Sequence, residues 1–384
     1  MLSFSAVAQN TVDLTELSTD RDFPKFVWVW GFFGGKYPGE NLEGNRVHYA
    51  EQSALSDSRF KNQRPFYAKD ITPTEVTCSF WDDKNKIWIR ENRYADTDWS
   101  MSDADMAMSI EYLVRSGLQY FNFIYYPDNN IGGIVRILFE KTLNKRGIKA
   151  AFTVGVLGGD RDKYPAPNDY TRNLKHLVDC LSKDWYQKIE GKPIVFYYNQ
   201  ESETLADLSR IRAAYGGPMY EVFLSSGYSN DYTFIVKSRM DARSWYYVFN
   251  NEANGNHSLN SVISETYACT KQILQAGFNV VPSMTIALDQ RARQNYPGDS
   301  PAWNKPGYMG HSHSYYEPIS EIQLNKYFAD LEELRRLYPK QLKTAGFSTW
   351  DELSEGGRSC LMPKKRIDGT VDDTMVGWFQ KRDK

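Results

Sequence analysis

The sequence predicts a single (β/α)8 barrel with a long insertion after its first strand. Short runs of apolar, β-branched and aromatic residues alternate with helical patterns along the chain, and there are eight such pairs. Eight alternating units indicate a closed barrel. The alternative is a doubly wound open sheet, but no Gly-x-Gly-x-x-Gly follows the first strand to support it.

Each element of the barrel has a local signal in the sequence. In the first helix, Met106, Ile110, Leu113 and Val114 share one face and Gly117 ends the pattern. Segment 34–100 is rich in Gly, Pro, Asn and charge, and we interpret it as the insertion, with a small hairpin over 76–91. The predicted strands are 25–33, 118–126, 148–156, 192–199, 220–227, 242–250, 278–288 and 344–350. The predicted helices are 100–117, 130–147, 169–187, 201–216, 231–240, 258–277, 319–339 and 371–381.

Two parts make up the predicted domain organisation. Residues 1–23 form an amino-terminal extension, and residues 24–384 form one barrel domain. Ala6-Val7-Ala8 fits the end of a signal peptide, with a disordered terminus as the alternative. We therefore expect an extracellular or periplasmic protein.

Composition excludes several classes of partner and cofactor. The net charge is −2 with mixed signs and no basic run, which argues against nucleic acid. No stretch of 18 apolar residues would span a membrane. The four cysteines are scattered, and His311 and His313 have no further metal ligand near them in the sequence, so we predict neither a metal nor another cofactor. The sequence does not indicate an oligomeric state.

The residues that leave the predicted strands have the chemistry of a sugar site. Barrel enzymes place their active sites at the carboxyl ends of the strands, and aromatics make up 15% of this chain. Aromatic rings stack on sugars, and amides and acids bind hydroxyl groups. Rim packing and a helix-start ion pair are the alternative roles for these side chains. The candidate substrate-binding residues are Tyr125, Tyr126, Asn199, Asn250, Asp289, Arg293 and Trp350.

The stretch "STWDELSEGG" (348–357) holds three carboxylates directly after the eighth strand. Thr349 and Glu352 fit a capping box, so an ordinary helix start explains the pattern locally. Glu352 and Glu355 are three apart, which in a helical turn brings their Cβ atoms within about 5–6 Å. Retaining glycosidases hold their two carboxyl groups about 5–5.5 Å apart. The position in the fold therefore favours a catalytic acid pair.

The sequence also resembles a known family. "STWDELSEGG", followed by "LMP" and "DGT", resembles the Trp-Asn-Glu-x-x-Glu-Gly segment of family 99 glycoside hydrolases and their WbsX-type relatives, which share a (β/α)8 barrel. "VVPSMTIALDQRAR" is similar to their seventh-strand segment, "DMAMSIEYLVRSGLQYFNFIYY" to their first helix and second strand, and "YQKIEGKPIVFYY" to their approach to the fourth strand. The similarity touches segments between residues 101 and 370.

The resemblance implies a retaining glycoside hydrolase, in a family that includes endo-acting α-mannosidases. It implies that Glu352 is the base acting on the sugar's 2-hydroxyl and Glu355 the general acid/base at the glycosidic oxygen. Three positions depart from the family pattern: Asp351 replaces an asparagine, Leu353 an aromatic, and Gly357-Arg358 stands where the mannosidases continue with Thr-x-x-Glu. The departures motivate the alternative of a non-catalytic carbohydrate-binding or structural protein on a degenerate hydrolase barrel. A sugar-transfer enzyme is a further alternative, but the chain has no phosphate-cradling loop.

Overall fold

The structure is a computed structural model of the 384-residue chain. The residues it describes are 23–29, 58, 60–82, 87–98, 102–125, 148–155, 170–198, 201–225, 227–228, 232–245, 256–286, 288–289, 315–348, 350 and 361–382. The predicted helix over 130–147 and the predicted extension up to residue 22 lie outside them. That residues 24–384 form one domain stays a prediction.

Parallel strands form a closed barrel, as the sequence predicts. The strands are β1 (Lys25–Val29), β4 (Tyr120–Ile124), β5 (Lys149–Val154), β7 (Lys192–Tyr197), β8 (Tyr220–Ser225), β9 (Ala242–Trp245), β11 (Asn279–Val280), β12 (Ser283–Met284) and β15 (Ala345–Phe347). Their order is β11-β9-β8-β7-β5-β4-β1-β15-β12, and all these neighbours are parallel.

Two short ladders at the seventh position close this barrel. β11 pairs with β9, whereas β12, which follows after Val281 and Pro282, pairs with β15. Pro282 has no N–H to donate, but its carbonyl accepts a hydrogen bond from Gly346 N at 2.8 Å. The segment therefore bonds to the sixth strand first and to the eighth strand next.

Helices cover the outside of the barrel, and three of them begin at serine caps. Ser102 and Ser320 form capping boxes with Asp105 and Gln323, and Ser258 accepts a hydrogen bond from Asn260 N. The described helices are α1 (Asp103–Arg115), α2 (Tyr170–Leu181), α3 (Glu201–Tyr215), α4 (Thr233–Ser238), α5 (Leu259–Gln275), α6 (Glu321–Leu337) and α7 (Thr374–Gln380).

Alternation of side chains along the strands divides the core into two clusters. One lies inside the barrel and includes Phe26, Trp28, Tyr120 and Phe196. The other lies between strands and helices and includes Val27, Phe121 and Phe347. Both faces of each strand are buried, which explains the near-continuous apolar runs in the sequence.

Short elements outside the barrel belong to the connections. The insertion contains a 3-10 turn (Lys61–Gln63) and a long hairpin of β2 (Lys69–Asp82) and β3 (Ile87–Asp98). The predicted hairpin over 76–91 is therefore correct in place but too short. The remaining short strands are β6 (Lys188–Ile189), β10 (Asn256–His257), β13 (Leu288–Asp289), β14 (Tyr315–Tyr316), β16 (Lys364–Lys365) and β17 (Val371–Asp372).

Candidate functional site at the carboxyl ends of the barrel strands

Strand register arranges the barrel interior in layers of four side chains from alternate strands. The pairing from strand to strand around the barrel defines these layers. The lowest of three successive layers holds Phe26, Ala151, Val222 and Val281. The next holds Asn122, Phe196, Ser244 and Gly346. The third, nearest the carboxyl ends, holds Trp28, Thr153, Leu224 and Ser283.

The lower part of the interior is filled by aromatic rings. Phe26 lies 5.1 Å from Trp28, 5.0 Å from Tyr120 and 5.3 Å from Phe196, measured between ring centroids. A Cβ on Gly346 would lie 2.2 Å from the Phe26 ring, so this glycine makes room for the phenylalanine. This part of the barrel is a packed apolar core.

Polar groups appear in the two layers closer to the carboxyl ends. Thr153 Oγ1 donates to Asn122 Oδ1 at 3.0 Å, and Trp28 Nε1 donates to Ser283 Oγ at 3.0 Å. Just above them, Ser348 Oγ accepts a hydrogen bond from Ile286 N at 3.1 Å. All six of these residues are fully or almost fully buried. The interior thus changes from apolar to polar towards the carboxyl ends.

Two polar atoms of this region have no partner within the described part of the chain. They are Asn122 Nδ2 and Ser244 Oγ, which belong to residues in the same layer on opposite sides of the barrel. A buried polar atom without a partner costs about 1–3 kcal/mol. The sequence analysis singled out neither residue. A signal was present in each strand: a polar asparagine within the apolar strand "YFNFI", and a serine at an inward-facing position of the strand "ARSW".

Tyr125, a predicted sugar-binding residue, contacts helix α2. Its hydroxyl donates to the Asn173 carbonyl oxygen at 2.9 Å and lies 2.9 Å from His176 Nδ1. The side chain is only 4% exposed. In this arrangement Tyr125 joins the end of β4 to α2, and direct sugar contact stays a prediction.

Trp350, another predicted sugar-binding residue, is completely buried. Its indole Nε1 donates to Ser109 Oγ of α1 at 2.7 Å, and its ring meets Phe121 edge-on at 5.5 Å. Its backbone N–H donates to the Trp28 carbonyl oxygen at 2.6 Å. A ring with no exposed face cannot stack on a sugar, so the contacts of Trp350 are those of a support residue.

The two predicted acids, Glu352 and Glu355, lie outside the described residues. The residues on either side of their stretch are described. Met362 N donates to the Trp350 carbonyl oxygen at 2.9 Å. The chain therefore leaves and rejoins the described structure at one place, beside the carboxyl end of β1.

The other predicted site residues are described only in part. Asp289 belongs to β13, whose backbone pairs with β14, and β14 also pairs with β10. This small sheet joins the connections that follow the sixth and seventh strands of the barrel. The predicted residues Tyr126, Asn199, Asn250 and Arg293 lie outside the described residues.

The insertion is fastened to the segment that follows the predicted acids. Arg64 is completely buried, and its guanidinium pairs with Asp70 and donates to the Lys61 carbonyl oxygen at 2.9 Å. Lys365 Nζ lies 3.3 Å from Asp70, and Lys365 N donates to the Arg64 carbonyl oxygen at 2.9 Å. Hydrogen bonding and charge from Arg64 hold the pKa of Asp70 below its usual value. We call Arg64, Asp70 and Lys365 the clasp.

Within the described residues, no group of three or more His, Cys, Asp and Glu side chains is arranged to hold a metal ion. No helix there has the length and apolar character needed to cross a membrane.

Comparison with solved structures gives the same fold. The GH99 endo-alpha-mannosidase from Bacteroides thetaiotaomicron matches with a TM-score of 0.52 at 12% identity, covering 95% of this chain and 97% of that one. This chain has the barrel fold of that glycoside hydrolase. The same mannosidase in complex with BIS-TRIS-propane matches at a TM-score of 0.48 and 14% identity, covering 73% and 83% of the two chains. A Parabacteroides merdae beta-glucuronidase matches at 0.40 and 10%, covering 79% and 38%.

Identities this low relate folds and not activities. No protein-family model and no curated protein sequence matches the chain.

Proposed function

We propose that the chain is a retaining glycoside hydrolase that acts on a polysaccharide or glycan, with Glu352 and Glu355 as its catalytic acids. One observation carries the proposal. The backbone of Trp350, bonded to Trp28 at the end of β1, is also bonded to Met362, so the acid-bearing stretch starts and ends at the carboxyl edge of the barrel. Barrel enzymes place their chemistry at this edge.

Chain connectivity strengthens this argument. Glu352 is two residues from Trp350 in the sequence, so the proposed acids follow closely in the chain on a residue that is bonded to the end of β1. Below this edge, the polar groups of Asn122, Thr153 and Ser283 in the upper two layers are consistent with the floor of a polar site.

The proposed chemistry needs two carboxyl groups in different protonation states. Ionised Glu352 takes the proton of the sugar's 2-hydroxyl, whose oxygen attacks the anomeric carbon. Protonated Glu355 gives its proton to the glycosidic oxygen as that bond breaks. Water then loses a proton to Glu355 and attacks the anomeric carbon, while the bond from that carbon to the 2-oxygen breaks and Glu352 returns its proton to the 2-oxygen. Both carboxyl groups are restored, and the two displacements retain the anomeric configuration. Two neighbouring carboxyl groups separate their pKa values in this way because both cannot ionise easily.

Five residues are proposed to bind the sugar around the acids. They come from four different strand-to-helix connections, which is how barrel enzymes assemble a pocket. Tyr125 and Trp350 are proposed to hold the pocket's frame, as their hydrogen bonds to α2 and α1 support. The five residues are Tyr126, Asn199, Asn250, Asp289 and Arg293. We also propose an extracellular or periplasmic location, where polymeric glycans are met.

Release of reducing ends tests the proposal. Wild type and Glu355→Gln are incubated with a panel of α- and β-linked polysaccharides and glycans. We expect release by wild type and a loss of about 10²-fold or more in the variant. Equal release by both would remove Glu355 from the mechanism. Binding without release by the wild type would instead favour a non-catalytic carbohydrate-binding protein, the function that the Asp351 and Leu353 departures allow.

A further inference from the structure

The amino ends of the barrel strands carry an excess of positive charge. The described stretches that lead into these strands, each counted up to the strand's first residue, hold eight lysines and arginines but three carboxylates. The whole chain, in contrast, has a net charge of −2. The eight cations are Lys25, Lys149, Lys183, Lys188, Lys192, Arg239, Lys340 and Lys343, and the carboxylates are Asp184, Glu190 and Asp241. The fold thus collects at one end of the barrel cations that are scattered along the sequence. We call this end the amino-end face.

Two ion pairs join connections of the amino-end face that are distant in the sequence. Lys343, which precedes β15, bonds Glu190 of the turn between β6 and β7 at 2.6 Å. Lys192 Nζ, at the start of β7, lies 3.9 Å from Asp241, which precedes β9. Two of the three carboxylates are therefore already paired with lysines of this face, and most of its positive charge is left over.

Six exposed cations on this face or next to it make no ion pair with the described part of the chain. They are Lys183, Lys188, Lys237, Arg239, Arg336 and Lys340. A cation in the last turn of a helix complements the helix dipole, which accounts for Lys237 in α4 and Arg336 in α6. The dipole does not account for Lys188, which lies in β6, or for Lys340, which follows the end of α6 by three residues.

Aliphatic side chains are exposed directly beside these cations. Val236 precedes Lys237 in α4 and is 59% exposed. Leu337 follows Arg336 at the end of α6 and is 46% exposed. Exposed apolar residues that lie singly on a surface are ordinary. Here each of the two adjoins an unpaired cation, at the same end of the barrel.

The ends of α4 and α6 are joined through the end of α5, which lies between them. Tyr232, just before α4, stacks on Phe278, just after α5, at 4.2 Å between ring centroids. Gln341, after α6, donates from Nε2 to the Leu274 carbonyl oxygen of α5 at 3.1 Å. Tyr232 is itself 40% exposed. The apolar and basic side chains of the two helix ends therefore belong to one continuous edge of the amino-end face.

The combination of unpaired cations and exposed aliphatic side chains fits the surface of an anionic lipid bilayer. Negatively charged headgroups attract lysine and arginine, and each such cation strengthens binding about fivefold. Apolar side chains enter the boundary between headgroups and acyl chains. An acidic polysaccharide or a nucleic acid would pair with the cations but would leave Val236 and Leu337 in water. The aliphatic side chains therefore favour the bilayer.

We propose that the amino-end face of the barrel binds reversibly to the surface of an anionic phospholipid bilayer. Such binding uses headgroup contacts and shallow insertion and needs no membrane-spanning helix. The face is opposite to the carboxyl ends of the strands, so the proposed active site points away from the bilayer, towards glycans in the surrounding solution. The inference goes beyond the proposed function and does not depend on catalysis.

Vesicle co-sedimentation of the full chain tests the contribution of charge. The vesicles are phosphatidylcholine alone or phosphatidylcholine with about 30% phosphatidylglycerol, in about 0.1 M salt. The basic-face variant carries Lys237→Gln, Arg336→Gln and Lys340→Gln. We expect the wild type to bind the anionic vesicles preferentially, and the basic-face variant to bind them about 10²-fold more weakly. Raising the salt to about 0.5 M should also release the wild type.

A control variant loses the same charge elsewhere on the molecule. It carries Lys69→Gln, Lys326→Gln and Lys381→Gln, three exposed lysines on the carboxyl-end side of the barrel. Lys69 begins β2, Lys326 lies in the second turn of α6, and Lys381 pairs with Glu321 at the start of α6. We expect the control to bind anionic vesicles as the wild type does. An equal loss in the control and in the basic-face variant would overturn the proposal.

A second pair of variants tests insertion of the aliphatic side chains. Val236→Ser with Leu337→Ser should weaken binding to anionic vesicles about tenfold, because these side chains no longer enter the headgroup boundary. Ile322→Ser is the matched control, since Ile322 is 81% exposed in the first turn of α6, at the opposite side. Wild-type thermal midpoints in all variants show that they fold. Unchanged binding of the serine pair would contradict seating on a bilayer.

Three further outcomes would overturn the proposal. They are equal binding of the wild type to neutral and anionic vesicles, wild-type binding by the basic-face variant, and binding to soluble polygalacturonate through the three cations without binding to vesicles. The last outcome would identify a site for soluble polyanions.

Reducing-end release separates this inference from the proposed function. The basic-face variant should cleave a soluble glycan like the wild type, because its substitutions lie at the other end of the barrel. Vesicle binding through the amino-end face without any cleavage would overturn the hydrolase proposal and leave bilayer binding intact. Cleavage by a wild type that does not bind anionic vesicles would do the reverse.

Discussion

The two ends of the barrel interior differ in what fills them. Towards the amino ends of the strands, Phe26, Val222 and Val281 form a close-packed apolar core around a glycine that leaves room for a ring. Towards the carboxyl ends, Asn122 and Ser244 contribute buried polar atoms without described partners. The same strands line both ends of the interior. The difference therefore comes from which residue type occupies each inward-facing position, every second residue along a strand.

This difference separates stability from function along the barrel axis. A close-packed apolar layer contributes free energy of folding through area burial and dispersion. A buried polar layer with unmatched atoms contributes less, and natural proteins keep such layers where a site needs them. We therefore expect substitutions at the two ends to affect different observables.

The largest stability effect is expected at the centre of the apolar end. Phe26→Ala removes a ring that meets three other aromatic rings, and should lower the free energy of unfolding by about 4 kcal/mol. Chemical denaturation followed by tryptophan fluorescence measures it. A loss below about 1 kcal/mol would show that the core is not close-packed there.

Added volume at the same place should also destabilise. Gly346→Ala forces a methyl group against the Phe26 ring, with an expected loss of about 2–3 kcal/mol. Phe26→Leu in the same chain should relieve part of the clash. If the two losses simply add in a double-mutant cycle, the ring and the glycine are not in contact.

Two serines at the polar end provide a matched pair. Ser283 accepts the hydrogen bond of the Trp28 indole, so Ser283→Ala leaves a buried donor unmatched and should cost about 1–2 kcal/mol. Ser244→Ala removes a buried hydroxyl without a described partner and should raise the free energy of unfolding by about 1 kcal/mol or more. A larger loss for Ser244→Ala than for Ser283→Ala would contradict the layer assignment.

The smallest effect is expected at the clasp, and it depends on pH. The pKa of Asp70 is lowered in the folded state, so its pairing with Arg64 stabilises the fold above the ordinary value of 3.8 and is lost as pH falls through the lowered value. Asp70 is more than half exposed, so Asp70→Asn should cost less than about 1 kcal/mol at pH 6. Urea unfolding at pH 6, 4.5 and 3 should show this cost shrinking only below pH 4. If the cost of Asp70→Asn instead grew as the pH fell, the pKa of Asp70 would not be lowered in the folded state.

The barrel was predictable because its signal repeats. Each of the eight alternations of buried strand and amphipathic helix reduces the number of folds that the sequence can adopt. Serine caps such as Ser102 mark the helix starts locally. The length of the hairpin was less predictable, because residues 69–75 are exposed, with a proline, and have no alternating apolar pattern.

The site was only partly predictable, for a geometric reason. Sequence position identifies which residues leave a strand but not the direction they take, so Tyr125 and Trp350 were indistinguishable from exposed rim residues until their partners in α2 and α1 were known. Asn122 and Ser244 were overlooked because the layer that unites them depends on the register of the whole barrel. The roles of Glu352 and Glu355 stay predictions.

Leaving-group dependence tests the assignment of the two glutamates most directly. The measurement compares wild type, Glu352→Gln and Glu355→Gln on a cleaved glycan and on the glycosyl fluoride of the same sugar, whose leaving group needs no proton. The account predicts that Glu355→Gln loses about 10²-fold or more on the glycan but releases fluoride in the first turnover at close to the wild-type rate, while Glu352→Gln loses both. Wild-type rates on both substrates in either variant would contradict it.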